Sequence, residues 1–329
     1  MTGRERVARV LSFSGPDRVP TTFPDPFAND IVFAAFDCGE KQEWLEGEMI
    51  KWYDEWGNIW ARFPTTTRGE PQVGAIENWN DLETWQPPDF GSPERYSHVP
   101  SVFEKAGDLY RVGGLPGFPF AVMRYLRRMD NFLADVILEP EKVGALAEKV
   151  MGVLEQMMDR WSELGADAIM FCEDWGTQER LLVSPNHWVS MFKPMFSRLV
   201  SYAHGRNLSV IMHSCGWIWE IVPHLVECGV DCLQLDQPTL MGLDNLHREF
   251  GGKIAFWSPV DIQRTLQTHD PVVVRAGARD LIDKLGSFNG GFIAGYYADN
   301  IGIGIDPSLQ AVACEEFFDY GQRVYGATK

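Results

Sequence analysis

From about Asp108 onward, short apolar runs alternate with longer stretches in which apolar positions recur at helical spacing. The runs are RVGGL (111–115), DAIMFC (167–172), SVIMH (209–213), DCLQL (231–235), KIAFW (253–257) and GFIAGY (291–296). They are apolar almost throughout, as strands buried on both faces must be, and strands separated by helices pair in parallel. The helices have readable ends. Pro140, Pro185 and Pro307 sit where a first helical turn has no use for an N–H, and Ser184 and Asp306 precede two of them as N-caps. Gly165, Gly229 and Gly251 follow helical stretches just before the next strand and are expected as left-handed C-caps.

The region before Asp108 lacks this alternation and is rich in Trp, Pro and acidic residues. PTTFPD (20–25) is expected to supply a first barrel strand, and GNIWARF (57–63) with PQVGAIE (71–77) reads as a hairpin folded over the barrel. The predicted architecture is α/β, a (β/α)8 TIM-type barrel. Residues 1–107 form an N-terminal helical and hairpin extension, residues 108–329 the main part of the barrel, and the whole makes one structural domain.

A chain of 329 residues with 45% hydrophobic content has ample material for one large core. Its net charge of −17 and lack of a basic cluster exclude a phosphate-tracking nucleic-acid surface. The six cysteines form no CxxC pair or disulfide-rich pattern and are expected as free thiols. No apolar run approaches the roughly 20 residues that span a bilayer, and the opening MTGRERVARVLSFSG reads as an amphipathic helix, so a cytoplasmic location is expected.

In a parallel barrel, chemistry collects where the strands end at their C-terminal side. The residues there are unusually polar: Asp25; Glu173 and Asp174; Gln178 a little further on; His213 and Cys215; Asp236 and Gln237; Ser258 and Asp261; Tyr296, Tyr297, Asp299 and Asn300. His213-Ser214-Cys215-Gly216 is the sharpest signal, because imidazole and thiolate two residues apart at a glycine bend can reach one cation, and such a donor pair suits zinc. The bland reading keeps His213 as a hydrogen-bonding residue beside an inert thiol. Adjacent carboxylates after a buried strand must diverge as the chain turns, so one of Glu173 and Asp174 is expected to face the cavity. Either can hold a metal, orient His213 or move a proton. The expected roles are catalytic for Glu173, Asp174 and Asp299, and substrate-binding for Asp25, Gln178, Asp236, Gln237, Asp261 and Tyr296. His213 and Cys215 are expected as metal ligands, with Glu173 or Asp299 as the third. GYYADNIGIGID (295–306) departs from nucleotide-binding spacing and reads as a loop.

The opening ERVARVLSFSGPDRVP, the central EDWGTQERLLVSPNHWVSMFKPMFSRLVSYAHGRNLSVIMHSCG, and the later IVPHLVECGVDCLQLDQP and FGGKIAFWSPVDIQRTL together resemble the uroporphyrinogen decarboxylase superfamily over nearly the whole chain. The resemblance implies a TIM-type barrel with two functional branches. Porphyrin decarboxylases carry an arginine-bearing segment after the Pro-turn. The matching TTFPDPFANDIVF has no Arg, so the charge-assisted contacts to a polycarboxylate would be missing. The other branch is similar to methyltransferases that work with a corrinoid on a partner protein. There, an H-x-C segment and a later Cys hold zinc. His213 and Cys215 match the first two positions, while Ala298, beside Asp299, stands where the later Cys is expected. That departure disfavours thiol methylation and leaves demethylation of a small methoxylated or methylamine-type substrate. A decarboxylase or lyase of a small carboxylate, and a non-catalytic corrinoid- or tetrapyrrole-binding barrel, are the alternatives.

Overall fold

The computed structural model describes residues 1–66 and 68–326. Seven parallel strands curl into one sheet: β1 (Ile31–Ala34), β6 (Tyr110–Gly114), β7 (Ala168–Cys172), β8 (Ser209–His213), β9 (Cys232–Gln234), β10 (Ala255–Ser258) and β11 (Phe292–Ala294). The expected first strand at 20–25 is only a bridge. Thr22 N donates to Ala294 O at 3.0 Å, and Ala294 N to Pro20 O at 2.9 Å. On the other side Asp30 N donates to Thr21 O at 2.8 Å, so Thr21 joins the two ends of the curled sheet. The regular strand in that region is β1, at the start of the unbroken apolar run IVFAAF (31–36), six residues beyond the stretch expected to form it.

Side chains alternate between two clusters, as the two-residue period of a strand requires. Ile31, Tyr110, Val112, Ala168, Ile211, Cys232, Ala255, Trp257 and Ile293 face inward and pack with Val7 and Val10, so the opening helix Gly3–Leu11 plugs one end of the barrel. Ala34, Ile169, Phe171, Val210, Met212, Leu233, Phe256 and Phe292 face outward into the helical layer. The plug is tied down by Arg6, buried between Asp17 (2.6 Å) and Asp30 (2.5 Å).

The segment before Asp108 folds as a four-stranded antiparallel sheet of β2 (Glu43–Glu46), β3 (Met49–Tyr53), β4 (Ile59–Arg62) and β5 (Glu70–Val73). The β4–β5 pair corresponds to the expected hairpin, and β2 and β3 extend it. The sheet docks on the helix Pro119–Arg127, where Ile76 N donates to Leu126 O at 2.9 Å.

Ser184 caps its helix by accepting from His187 N at 3.3 Å, and Asp306 accepts from Ser308 N at 2.9 Å. Gly165 (φ 77°) and Gly229 (φ 88°) are left-handed as expected, but Gly251 is not, with φ −55°. Gly251 is needed for space: a Cβ there would lie 2.0 Å from Phe288 Cε2. The segment read as a loop at 295–306 holds a short helix, Asn300–Ile303. Among the described residues no helix is long and apolar enough to cross a membrane.

Candidate active site

Inward phase and register together build the end of the barrel opposite the plug. In β7 the inward residues are Ala168, Met170 and therefore Cys172; in β8 they end at His213, and in β9 at Gln234. Cys172 pairs in register with His213, His213 with Gln234, and Gln234 with Trp257. Neighbouring strands lie about 4.8 Å apart. One layer across four strands thus presents a thiol, an imidazole, a carboxamide and an indole to the lumen.

The polar members of that layer orient one another. Gln234 Nε2 donates to Asp236 Oδ1 at 2.8 Å, which turns Gln234 Oε1 toward His213 Nδ1 at 2.5 Å. A carboxamide oxygen only accepts, so Nδ1 carries the proton and Nε2 keeps its lone pair. Nε2 faces Cys215 Sγ at 3.4 Å and Asp174 Oδ1 at 3.5 Å. Asp174, His213 and Cys215 each offer one ligand atom, all within 4.8 Å of one another. An imidazole nitrogen, a sulfur and a carboxylate oxygen, with the imidazole fixed from behind, make a donor set that suits zinc. Burial, reinforced by Asp174 and Asp236, pushes the Cys215 thiol far up, so in the absence of a cation it stays protonated and hydrogen-bonds His213.

The adjacent carboxylates part company. Asp174 Oδ1 accepts from Cys215 N at 2.8 Å and so fastens the β7 loop to the β8 loop. Glu173 is fully buried, and its two oxygens accept from the amides of Phe118 (3.2 Å), Phe120 (2.9 Å) and Ala121 (2.9 Å), the first turn of the helix Pro119–Arg127. Burial pushes the Glu173 carboxyl up to about 8, against those amides and Arg124, which favour its charged form. The carboxylate that joins His213 and Cys215 is therefore Asp174 rather than Glu173 or Asp299. Asp299 Oδ1 accepts from Gly302 N at 3.0 Å and caps the helix Asn300–Ile303.

The other sequence-derived residues scatter around this centre. Gln237 Oε1 accepts from Gly216 N at 3.1 Å, bracing the turn after Cys215. Asp261 is buried and accepts from Gln263 N (2.9 Å), Arg264 N (2.8 Å), Thr239 N (3.2 Å) and the Thr239 hydroxyl, so its carboxylate staples two loops. Tyr296 OH accepts from Asn300 Nδ2 at 3.1 Å. Its neighbour Tyr297 is the tyrosine close to Arg68, Asp236 and Cys215; burial is the largest influence raising its hydroxyl pKa. Asp25 and Gln178 are exposed.

Sequence reading missed Cys172, Gln234, Arg68, Arg124 and Tyr125. Burial first, then Asp174, pushes the Cys172 thiol up to about 11. Arg124 and Tyr125 lie on the helix that Glu173 caps, and Arg124 Nη2 stands 4.0 Å from Asp174 Oδ2. They line a cavity of about 810 Å3 between that helix and the β2–β5 sheet, with Asp174 at its inner edge.

Comparison with known proteins agrees with this architecture. The uroporphyrinogen decarboxylase (URO-D) family model matches residues 62–323. The chain is 25% identical over 219 residues to a uroporphyrinogen decarboxylase of Teredinibacter turnerae, a match covering 63% of this chain and 57% of that relative's length. A solved methyltransferase from Methanosarcina mazei superposes with a TM-score of 0.71 over 99% of both chains at 15% identity, a likeness of fold.

Proposed function

The chain belongs to the uroporphyrinogen decarboxylase family, and we propose that within it this barrel moves a methyl group between a small methoxylated or methylamine-type substrate and a corrinoid carried on a partner protein. The observation that carries this reading is the cluster of Asp174, His213 and Cys215 at the lumen end, with His213 fixed by Gln234. The segment after the Pro-turn, 21–33, supplies no arginine for a polycarboxylated tetrapyrrole, which speaks against porphyrin decarboxylation.

A zinc ion held by the three residues would act as a Lewis acid on the heteroatom that loses its methyl group. That heteroatom keeps the bonding pair and needs its charge stabilised. The Cys172 thiol and Tyr297 hydroxyl, both with pKa values raised above their ordinary range and so protonated at neutral pH, would serve as hydrogen-bond donors for it. Asp174 and Gln234 hold the ligands in place, and the apolar lumen below, closed by the plug helix, keeps water to one side.

The test is metal analysis of protein purified without chelators, followed by anaerobic mixing with a reduced corrinoid protein and a panel of methoxylated and methylated compounds. One equivalent of zinc and a corrinoid absorbance change with at least one compound are expected, both lost in the His213→Ala, Cys215→Ala double variant. Absence of any spectral change across the panel would count against methyl transfer. The cations lining the cavity favour a second reading, decarboxylation of a small acid. Carbon dioxide release without corrinoid would identify it.

A further inference from the structure

The cavity beside Asp174 carries a charge pattern unlike the rest of the molecule. The chain has 46 acidic against 29 basic residues, yet the cavity lining gathers Lys41, Arg62, Arg68, Arg124 and Arg128. Its acids are Glu43, Glu70, Asp130 and Asp174. Asp130 pairs with Arg128 at 3.3 Å. Asp174 Oδ1 is turned to the Cys215 amide and His213. With the Arg128–Asp130 pair set aside, Lys41, Arg62, Arg68 and Arg124 face Glu43, Glu70 and Asp174, a net charge of +1 that suits one monoanionic group.

Arg124 gives the pattern its direction. It is nine-tenths buried, lines the cavity, and its Nε has no hydrogen-bond partner. Nη2 donates to Tyr125 OH at 3.1 Å and approaches Asp174 Oδ2 at 4.0 Å, and the guanidinium lies over the rings of Tyr125 (5.0 Å) and Phe120 (5.5 Å). A guanidinium so deeply buried is costly unless an anion lies beside it, and an acid group in the cavity it lines would supply one. Around it the wall is aromatic. Trp52 and Trp60 stack with centroids 6.1 Å apart, and Trp60 meets Tyr125 edge-on at 4.8 Å. Arg68 rides on a segment drawn against that wall: a Cβ on Gly69 would lie 2.4 Å from Trp52 Cη2.

We propose that this cavity selects an aromatic carboxylate, with the acid group held among Lys41, Arg62, Arg68 and Arg124 and the ring against Trp60 and Tyr125. The binding claim stands alone. Only the other end of the ligand, a methoxy group turned toward Asp174, His213 and Cys215, rests on the methyl-transfer reading. Phosphate offers related chemistry, and the test separates the two.

Binding to the protein, with and without added zinc, is measured by tryptophan fluorescence and calorimetry, with 4-methoxybenzoate, the neutral 4-methoxybenzyl alcohol, AMP and inorganic phosphate as probes. The acid is expected to bind about tenfold or more tighter than the alcohol, since a charge-assisted contact adds roughly 1.5–3 kcal/mol. Arg68→Gln, an exposed position that keeps the fold, and Arg124→Lys should each weaken the acid by about fivefold or more and leave the alcohol unchanged. Equal affinity for acid and alcohol, no saturable binding, full affinity in Arg68→Gln, or displacement of the acid by AMP or phosphate at lower concentration would overturn the proposal. Tight, arginine-dependent binding without turnover leaves this inference standing and sinks the methyl-transfer reading. Turnover of a neutral donor with no acid binding does the reverse.

Discussion

Gln234 sets the tautomer of His213. The 2.5 Å contact between Gln234 Oε1 and His213 Nδ1 depends on Asp236, which holds the other end of the carboxamide at 2.8 Å. The orientation of Nε2, the nitrogen that faces Cys215 and Asp174, is thus decided from Asp236, just past the neighbouring strand. Replacing Gln234 by Met keeps the volume and removes the acceptor. Zinc affinity, measured by competition with a chromophoric chelator, is expected to fall about 10–100-fold, the usual cost of losing such support. Thermal stability of the metal-free protein should change little. Unchanged zinc affinity in the Gln234→Met variant would show that His213 does not bind a cation through Nε2.

Glu173 and Asp174 should separate cleanly under substitution. In Glu173→Gln one oxygen becomes an NH2 group facing a backbone N–H, leaving buried donors unsatisfied at the start of the helix Pro119–Arg127. A loss of roughly 1–3 kcal/mol in urea unfolding is expected. Asp174→Asn should abolish zinc binding at a much smaller cost to the metal-free fold. The opposite pattern, with Glu173→Gln stable and metal-free, would exchange the two roles.

The sequence announced where the strands lie, since runs such as SVIMH coincide with β8 at Ser209–His213. It also announced that His213 and Cys215 leave one strand together. The inward phase was hidden, because strands buried on both sides read as apolar on both faces. Cys172 and Gln234 therefore looked like ordinary strand residues, and only the register beside His213 brings them to the lumen. For the same reason no rule of spacing could choose between Glu173 and Asp174. That choice is made by three amides more than fifty residues earlier in the chain. Arg68 and Arg124 were illegible for a different cause: they line one cavity only because a separate antiparallel sheet folds against the barrel.

Away from the site, His204 Nε2 lies 2.9 Å from Asp231 Oδ2. The hydrogen bond to Asp231 raises the pKa of His204 despite partial burial. A raised folded value means that the pair contributes below the ordinary imidazole pKa and that the contribution fades as pH rises through the folded one. The pair is partly exposed, so its worth is below about 1 kcal/mol. His204→Gln should lower the unfolding midpoint at pH 6 and have a smaller effect at pH 9. An effect that grows with pH would contradict the ion pair.

The sharpest test of how the strand-end loops hold the centre is a single methyl group at Gly216. This residue has φ +79°, and a Cβ there would lie 2.4 Å from Gly176 O and 2.6 Å from Thr177 O. Its N–H is spent on Gln237 Oε1 at 3.1 Å, and Trp217 N donates to Thr177 O at 2.7 Å. The loop bearing Asp174 and the turn bearing Cys215 therefore touch backbone to backbone, and neither carbonyl can swing aside like a side-chain tip. Gly216→Ala must force them apart and pay for a left-handed alanine, about 1–2 kcal/mol for the backbone alone. Because Asp174 Oδ1 accepts from Cys215 N at 2.8 Å, the separation falls directly on two of the three clustered residues. Zinc affinity should therefore drop by more than the loss of stability explains, read as a chelator-competition constant beside an unfolding curve. Gly144, a helical position where an added Cβ meets nothing within 4 Å, provides the control. Gly144→Ala should leave zinc affinity intact and raise stability by about 0.5–1 kcal/mol, the usual gain of alanine over glycine inside a helix. If Gly216→Ala likewise diminishes neither, the loops are not in the contact described and the geometry of the centre falls with it.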